Sequence, residues 1–87
     1  MYVVVAYDIK NDKSRNFFAK EMLKFGIRTQ KSFFECDDIG KKEINIIKKL
    51  AKKVCDNEDF VTIYITEKRR FKRIGDVEYL EIDDLVF

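Results

Sequence analysis

The sequence predicts an α+β fold: a ferredoxin-like βαββαβ domain with an extra C-terminal strand and both helices on one face of an antiparallel sheet. Two segments carry apolar residues at the helical spacing of three and four positions. They alternate with segments that are rich in β-branched and aromatic residues and lack this period, as strands do. The 87 residues contain no proline and no linker-like stretch, so we expect residues 1–87 to form a single domain.

The first predicted strand covers Tyr2–Asp8 and is apolar on both faces, which is typical of a strand in the interior of a sheet. Either Asn11 or Asp12 can cap a helix that begins near Lys13. One face of this helix carries apolar residues at i, i+4 and i+7, with Leu23 beside them: Phe18, Met22 and Phe25. Gly26 stands where a helix C-cap glycine belongs.

The middle segment, residues 27–38, has no helical period and is predicted to be extended. It is long enough for two short strands with a bend near residues 31–33. Gly40 can cap a second helix, with Glu43 at the third helical position. This helix has pairs of lysines on one face and apolar residues on the other: Ile47, Leu50, Ala51 and Val54.

A turn at 56–59 precedes an alternating strand over residues 59–66, with Val61, Ile63 and Ile65 on one face. Residues 67–73, EKRRFKR, are predicted to form a basic loop, and residues 77–82 a last short strand before the tail. This extra strand needs an edge to pair with, which either its own sheet or the sheet of a partner chain can supply.

Basic and acidic residues are distributed unevenly. The net charge is +2, but residues 1–73 sum to +7 and residues 74–87 to −5. A basic body suits a polyanionic partner such as nucleic acid, although a charge run is more often a solvated surface. An acidic end suits packing on a basic surface, in the same chain or in a second copy.

Composition excludes several kinds of chemistry. The sequence has no histidine, which rules out Ser-His-Asp and Cys-His catalysis and histidine-metal centres. Cys36 and Cys55 form no CxxC pair, so we interpret them as small buried hydrophobic residues in a reducing compartment. No apolar run approaches the roughly 18 residues that span a bilayer, and the N-terminal run is too short for a signal peptide. We therefore expect a cytoplasmic protein with no membrane segment.

Asp8 is the first candidate for chemistry, because it ends the most apolar strand. The C-terminal end of a strand is exposed while its backbone stays rigid, and Mg²⁺ usually takes one or two carboxylates together with waters. Two copies of Asp8 that face each other across a dimer axis would supply that number. By position alone, an acid here is more often a turn or capping residue.

Basic residues are the second group of candidates. An arginine binds phosphate with two hydrogen bonds, and the loop at 67–73 places five positive charges around Phe71. A solvated loop explains that composition equally well. The candidates for nucleic-acid binding are Lys10, Lys13, Arg15, Arg28, Arg69 and Arg70.

Phe33 and Phe34 are adjacent on a predicted strand, so their side chains point to opposite faces and only one belongs to the core. The other is available for base stacking or for a dimer interface. An RNA-recognition motif has the same order of elements, but its glycine–aromatic signature is absent.

Several short motifs, in this order and in a chain of this length, resemble the CRISPR-associated protein 2 family, the small proteins of CRISPR spacer acquisition. YDI ends the first strand, NDKSRN opens the first helix, and FGIRTQKSFFE follows it. The residues on the family pattern are Tyr7, Asp8, Ile9, Arg15, Gly26, Arg28, Gln30, Ser32, Phe34 and Glu35. Phe17 stands where many members carry a second basic residue, which weakens the phosphate-binding prediction for the first helix. Lys31 and Phe33 replace the usual aromatic residue and valine.

The resemblance implies a ferredoxin-like homodimer in which the C-terminal strand and tail, residues 77–87, are added to the partner's sheet. It implies that Asp8 is the catalytic and metal-binding residue and that the two copies hold Mg²⁺ across the dimer. The metal would lower the pKa of a bound water that attacks a phosphodiester of RNA or double-stranded DNA. Arg15 and Arg28 would neutralise the phosphate, and Ser32 and Phe34 would shape the site.

Two other functions stay open at this point. The dimer can act as a non-catalytic bridge between dimers of the CRISPR integrase. In that case lysines of the second helix and residues 67–73 hold DNA, the tail at 83–87 docks on the integrase, and Asp8 is structural. The same fold also suits a stand-alone, toxin-like ribonuclease.

Overall fold

The computed structural model describes the backbone at residues 1–66, 71–74 and 77–80 and the side chains of residues 1–66. Six strands and two helices follow one another in these ranges. In chain order they are β1 (Tyr2–Asp8), α1 (Asp12–Met22), β2 (Ile27–Gln30), β3 (Phe33–Cys36), α2 (Lys41–Val54), β4 (Phe60–Thr66), β5 (Phe71–Ile74) and β6 (Val77–Leu80).

The first four strands form one sheet in the order β2-β3-β1-β4, and all neighbouring strands are antiparallel. This is the strand order of the split βαβ motif, so the predicted ferredoxin-like α+β fold is confirmed. Both helices pack on one face of the sheet. The buried cluster there joins alternate residues of β1 to both helices: Val3, Val5, Tyr7, Phe18, Met22, Ile44 and Ile47.

β1 is the central strand and is buried on both faces, as its composition predicts. Tyr2 and Val4 alternate with the residues of the helix-side core, so they lie on the opposite face, and both are buried. The Tyr2 hydroxyl donates a hydrogen bond to the carboxylate of Glu35 on β3. A strand that is covered on both sides holds its two ends at fixed positions.

The start of α1 matches the prediction, but its end does not. The Asn11 side chain accepts a hydrogen bond from the backbone N–H of Ser14 at 3.0 Å, which makes Asn11 the N-cap. The helix ends at Met22, and Leu23 is 61% exposed rather than part of the apolar face. The chain reaches β2 through residues 23–26, three of which donate main-chain hydrogen bonds to residues 21 and 22.

Gly26 is required for a reason other than the predicted C-cap, because its φ lies outside the left-handed region. A Cβ at this position would lie 2.3 Å from the carbonyl oxygen of Glu35 and 2.7 Å from Sγ of Cys36. The main chain therefore passes β3 too closely for any side chain. Cys36 is fully buried at this contact, and burial raises the pKa of its thiol to about 11, which keeps the group neutral.

The remaining elements follow the sequence closely up to residue 66. Residues 31 and 32 form the predicted bend between β2 and β3. At the start of α2, the Gly40 N–H donates to Oε1 of Glu43 at 2.8 Å, which is half of a capping box. Ile47 is buried in the core, and the other residues of the predicted face pack against it: Leu50, Ala51 and Val54.

The prediction of a basic loop at 67–73 is wrong for its second part. Residues 71–74 form β5, which pairs antiparallel with β6 in the same chain, from Phe71 opposite Leu80 to Ile74 opposite Val77. Charged residues at 72 and 73 conceal the strand character of this segment in the sequence. Arg69, Arg70 and the tail at 81–87 lie outside the described residues. Addition of the C-terminal strand to a partner's sheet stays a prediction. In the part of the chain described here, neither helix is long and apolar enough to cross a membrane.

We expect Gly26→Ala to lower the free energy of unfolding by about 2 kcal/mol or more, because the new methyl group must push β3 away from the helix connection. Urea denaturation followed by circular dichroism measures this loss. Gly40→Ala is the matched control, since its Cβ would meet only the flexible end of Glu43 at 3.1 Å. We expect this control to lose less than about 1 kcal/mol. Equal losses in the two variants would contradict the close approach at Gly26.

Candidate metal and nucleic-acid site

Asp8 is the last residue of β1, where it pairs in register with Phe60 of β4. The alternation along β1 places its side chain on the face of the sheet away from the helices. The carboxylate is 46% exposed, and its Oδ2 lies 2.6 Å from Nζ of Lys10. A half-exposed acid is thus held at the end of a rigid, buried strand, as the sequence predicts.

Lys10 connects the end of β1 to the turn that precedes β4. Its backbone N–H donates to Oδ1 of Asp59 at 3.0 Å, and Oδ2 of Asp59 accepts from the N–H of Asp56 at 2.9 Å. These two backbone donors lower the pKa of Asp59 below its ordinary value of 3.8. The hydrogen bond from the Lys10 ammonium to Asp8 raises the pKa of Lys10. The sequence identifies Asp59 only as a turn residue, so its role in placing Lys10 is missed there.

Arg15 holds the connection between β1 and α1. Its Nη1 donates to the carbonyl oxygens of Ile9 at 3.3 Å and Lys10 at 3.5 Å, and its Nη2 lies 2.5 Å from Oδ1 of Asp12. The guanidinium therefore fixes the backbone directly after Asp8. The guanidinium lines the same cleft as Asp8, where its positive charge, shared with Asp12, favours the approach of an anion.

Arg28 holds the bend between β2 and β3 in a similar way. Its Nε donates to the carbonyl oxygen of Lys31 at 3.1 Å, and its Nη2 donates to the same oxygen. The hydroxyl of Tyr7 is a further donor to this oxygen, at 3.1 Å, and the Tyr7 N–H donates to the carbonyl of Ser32 at 3.1 Å. The bend is therefore tied to the end of β1, one residue before Asp8.

These groups surround an open cleft of about 580 Å³. The cleft brings together four of the predicted site residues: Asp8, Arg15, Arg28 and Ser32. Lys31, Phe33 and Phe60 also line it and are not among the predicted site residues. The register of β1 and β4, which the sequence does not reveal, is what brings Phe60 beside Asp8.

The other predicted site residues lie elsewhere. Phe34 is fully buried and does not line the cleft; it supports the cleft from below, stacked on Tyr7 with ring centroids 6.0 Å apart. Phe33, the other member of this pair, is partly exposed, as strand alternation requires. Lys10 contacts Asp8 without lining the cleft, and Lys13 lies in a different groove beside Phe17.

The donor set of the site suits a metal ion only if two chains combine. Among residues 1–66, no three side chains of Cys, Asp or Glu come close enough to hold a metal ion. Asp8 offers one exposed carboxylate per chain, and Mg²⁺ usually takes one or two carboxylates with several waters. A pair of Asp8 residues from two chains fits that requirement.

We expect Arg28→Ala to lower the free energy of unfolding by about 1 kcal/mol and to increase amide exchange at residues 31–33, because the Lys31 carbonyl loses two donors. Hydrogen-exchange mass spectrometry and urea denaturation measure the two effects. Lys31→Ala is the matched control, since it keeps the main-chain carbonyl and removes only an exposed side chain. Faster exchange in the control than in Arg28→Ala would contradict this function of the guanidinium.

The chain was compared with known families and structures. It matches the family described as CRISPR associated protein Cas2 over residues 1–74. No curated protein matches it. Its fold is similar to that of Cas2 from Streptococcus pyogenes, with 30% identity, a TM-score of 0.73, and coverage of 86% of this chain and 100% of that chain.

A hypothetical protein from Thermus thermophilus, TT1823, is similar over 91% of this chain and 94% of its own, with 28% identity and a TM-score of 0.75. A crystal structure described as cas2 has a TM-score of 0.76 over 99% of this chain and 98% of its own. Its 24% identity shows likeness of fold alone. The family match spans most of the chain, and the protein therefore belongs to the Cas2 family of CRISPR-associated proteins.

Proposed function

We propose that this CRISPR-associated protein cleaves phosphodiester bonds of RNA or double-stranded DNA as a cytoplasmic homodimer, with Mg²⁺ held between the two copies of Asp8. The observation that carries the proposal is the cleft at the end of β1. There, an exposed carboxylate on a rigid strand lies with two guanidinium groups and a hydroxyl. This combination of an acid and phosphate-binding cations is what metal-assisted phosphodiester hydrolysis requires.

The surface around Asp8 supports pairing of two chains. Ala6 and Asp8 lie on the same face of β1, and their register partners include Phe33 of β3 and Phe60 of β4. Phe60 is 51% exposed, and Phe33 is partly exposed. Exposed apolar surface of this kind is typical of a protein interface. Contact with a second copy of the chain would cover the two rings and bring the two Asp8 carboxylates together.

Each residue of the cleft has a defined part in this proposal. Mg²⁺ would supply an activated water molecule at neutral pH. Asp8 binds the cation, and the phosphate is bound by the guanidinium N–H groups of Arg15 and Arg28 that contact neither a main-chain carbonyl nor, in the case of Arg15, the carboxylate of Asp12. Their charge opposes the negative charge that builds up on the phosphate oxygens as the bond breaks. Ser32 offers a hydroxyl to the same phosphate group.

A second candidate function is a non-catalytic DNA-binding bridge between dimers of the CRISPR integrase. It is favoured by the contact between Asp8 and Lys10, because an acid that is already paired with a lysine needs no metal. In this alternative, Asp8 and Lys10 fix the end of β1, and the cationic cleft binds phosphates without cutting them.

We expect Asp8→Ala to reduce cleavage of labelled single-stranded RNA or double-stranded DNA by more than about 100-fold. Removing a residue that only orients a metal ligand costs up to about 100-fold in activity, and removing the ligand itself should cost more. EDTA should abolish cleavage by the wild type to the same extent. Glu21→Gln is the control acid, since Glu21 near the end of α1 pairs with Lys24 in the following connection and does not line the cleft. Cleavage by Asp8→Ala at the wild-type rate, or no cleavage by any variant or by the wild type, would contradict the catalytic function and favour the DNA-binding bridge.

Lys10→Met should lower the concentration of Mg²⁺ or Mn²⁺ at half-saturation up to about 5-fold. The reason is that the ammonium at 2.6 Å competes with the metal for Asp8, and an exposed ion pair is weak. Mn²⁺ binding followed by electron paramagnetic resonance measures this directly, independently of cleavage. Lys24→Met removes a lysine from the connection between α1 and β2 and should leave metal affinity unchanged. Weaker metal binding in Lys10→Met would show that Lys10 assists the site instead of competing with it.

A further inference from the structure

The outer surface of the two helices contains a groove that is separate from the cleft at Asp8. The helix groove is about 480 Å³ in volume and is lined by Lys13, Ser14, Phe17, Lys53 and Val54. Within residues 1–66, it shares no lining residue with the cleft. Two turns of α1 form one side, and the last turn of α2 forms the other.

Phe17 is the unusual residue of the helix groove. Its side chain is 42% exposed, whereas the next residue, Phe18, is fully buried in the core. The ammonium of Lys53 lies over the ring, 5.5 Å from its centroid. The ring therefore presents its flat face to a mobile cation and not to the protein core.

The helix groove carries positive charge, and no acid among residues 1–66 pairs with its lysines. The sequence of α2 contains six lysines and one acid, Glu43, which accepts the N–H of Gly40. Within residues 1–66, neither Lys13 nor Lys53 forms an ion pair with a carboxylate. An anionic ligand is therefore attracted to this surface.

An aromatic ring between two lysines is suited to single-stranded nucleic acid, in which phosphates alternate with flat bases. A lysine ammonium sits on a flexible stem, so Lys53 can move from the ring to a phosphate and leave the ring face to a base. A duplex hides the faces of its bases and cannot use the ring. An acidic peptide can pair its carboxylates with the two lysines, but it has no regular series of planar groups that could stack on the Phe17 ring.

We propose that the helix groove binds a single-stranded segment of DNA or RNA, with a base stacked on Phe17 and phosphates held by Lys13 and Lys53. The proposal rests on the nucleic-acid function proposed above. It uses residues that lie outside the cleft at Asp8, so the two can fail separately. The aromatic residue that stands in place of a basic one in α1 is thus given a binding role.

Fluorescence anisotropy with labelled oligo-dT, oligo-U and a blunt duplex tests the proposal on the intact chain. We expect Phe17→Leu, which keeps an apolar side chain without a ring face, to weaken single-strand binding by roughly 5-fold or more and to leave duplex binding unchanged. Lys13→Gln and Lys53→Gln should each reduce the salt dependence of single-strand binding by about 0.7 in the log–log slope. Lys24→Gln is the control for loss of one positive charge outside the helix groove, and we expect it to change binding less than 2-fold.

A second readout is photocrosslinking of oligo-U that contains 4-thiouridine, which should map to residues 13–17 and 53. Equal single-strand binding by Phe17→Leu and the wild type, or no single-strand binding by the wild type, would overturn the proposal. An acidic peptide that displaces the oligonucleotide, and whose own binding requires Phe17, would assign the helix groove to a protein partner. That result would overturn the proposal as well. If Phe17→Leu weakens single-strand binding while Asp8→Ala cleaves normally, the proposal for the helix groove is supported and the proposal of a metal site at Asp8 is contradicted.

Discussion

The pairing of β1 with both of its neighbours is the constraint on which the rest of the structure depends. β1 pairs with β4 along all of its seven residues and with β3 from Val3 to Ala6. With this register, Tyr7 enters the helix-side core and Asp8 emerges on the opposite face. A shift of one residue would reverse both, burying the carboxylate and exposing the ring of Tyr7. The position of the acid is therefore fixed by the burial of the residues that precede it.

Hydrogen bonds to main-chain carbonyls convert this rigid strand end into a site. Arg15 donates to the carbonyls that follow Asp8, and Arg28 donates to the bend that lies against Tyr7. Each guanidinium has five N–H donors, of which only some contact the backbone; Arg15 also pairs with Asp12. The same side chains thus hold the connections in place and line the cleft.

The sequence predicts the elements whose signals are local and misses the contacts that are not. The bounds of β1, a cap at Asn11 or Asp12 and a bend near residues 31–33 follow from apolar runs and capping chemistry, and the structure selects Asn11 as the cap. Gly26 has the local signature of a helix C-cap, but what requires it is the close passage of β3, which only the folded chain reveals. The strand β5 was missed for a different reason, because charged residues interrupt the apolar pattern of its sequence.

The candidate site was predictable to a similar degree. Asp8, Arg15, Arg28 and Ser32 line one cleft, as the family resemblance implies. Lys13 does not join them, because residues two positions apart on a helix point in different directions and Arg15 takes the side of the cleft. Phe60 and Asp59 enter through the register and the turn of β4, for which the sequence offers no signal. Phe34 was predicted to shape the site, but it is buried in the core and does not line the cleft; it contacts the ring of Tyr7, which does.

The central claim is that one metal ion is shared by two Asp8 carboxylates. The most direct test is the stoichiometry of Mn²⁺ binding, followed by electron paramagnetic resonance on protein whose oligomeric state is measured in parallel by sedimentation. The account predicts one bound ion for every two chains in a dimer, and no bound ion in an Asp8→Ala variant that is still dimeric. One ion per chain, or binding that survives the loss of Asp8, would contradict it.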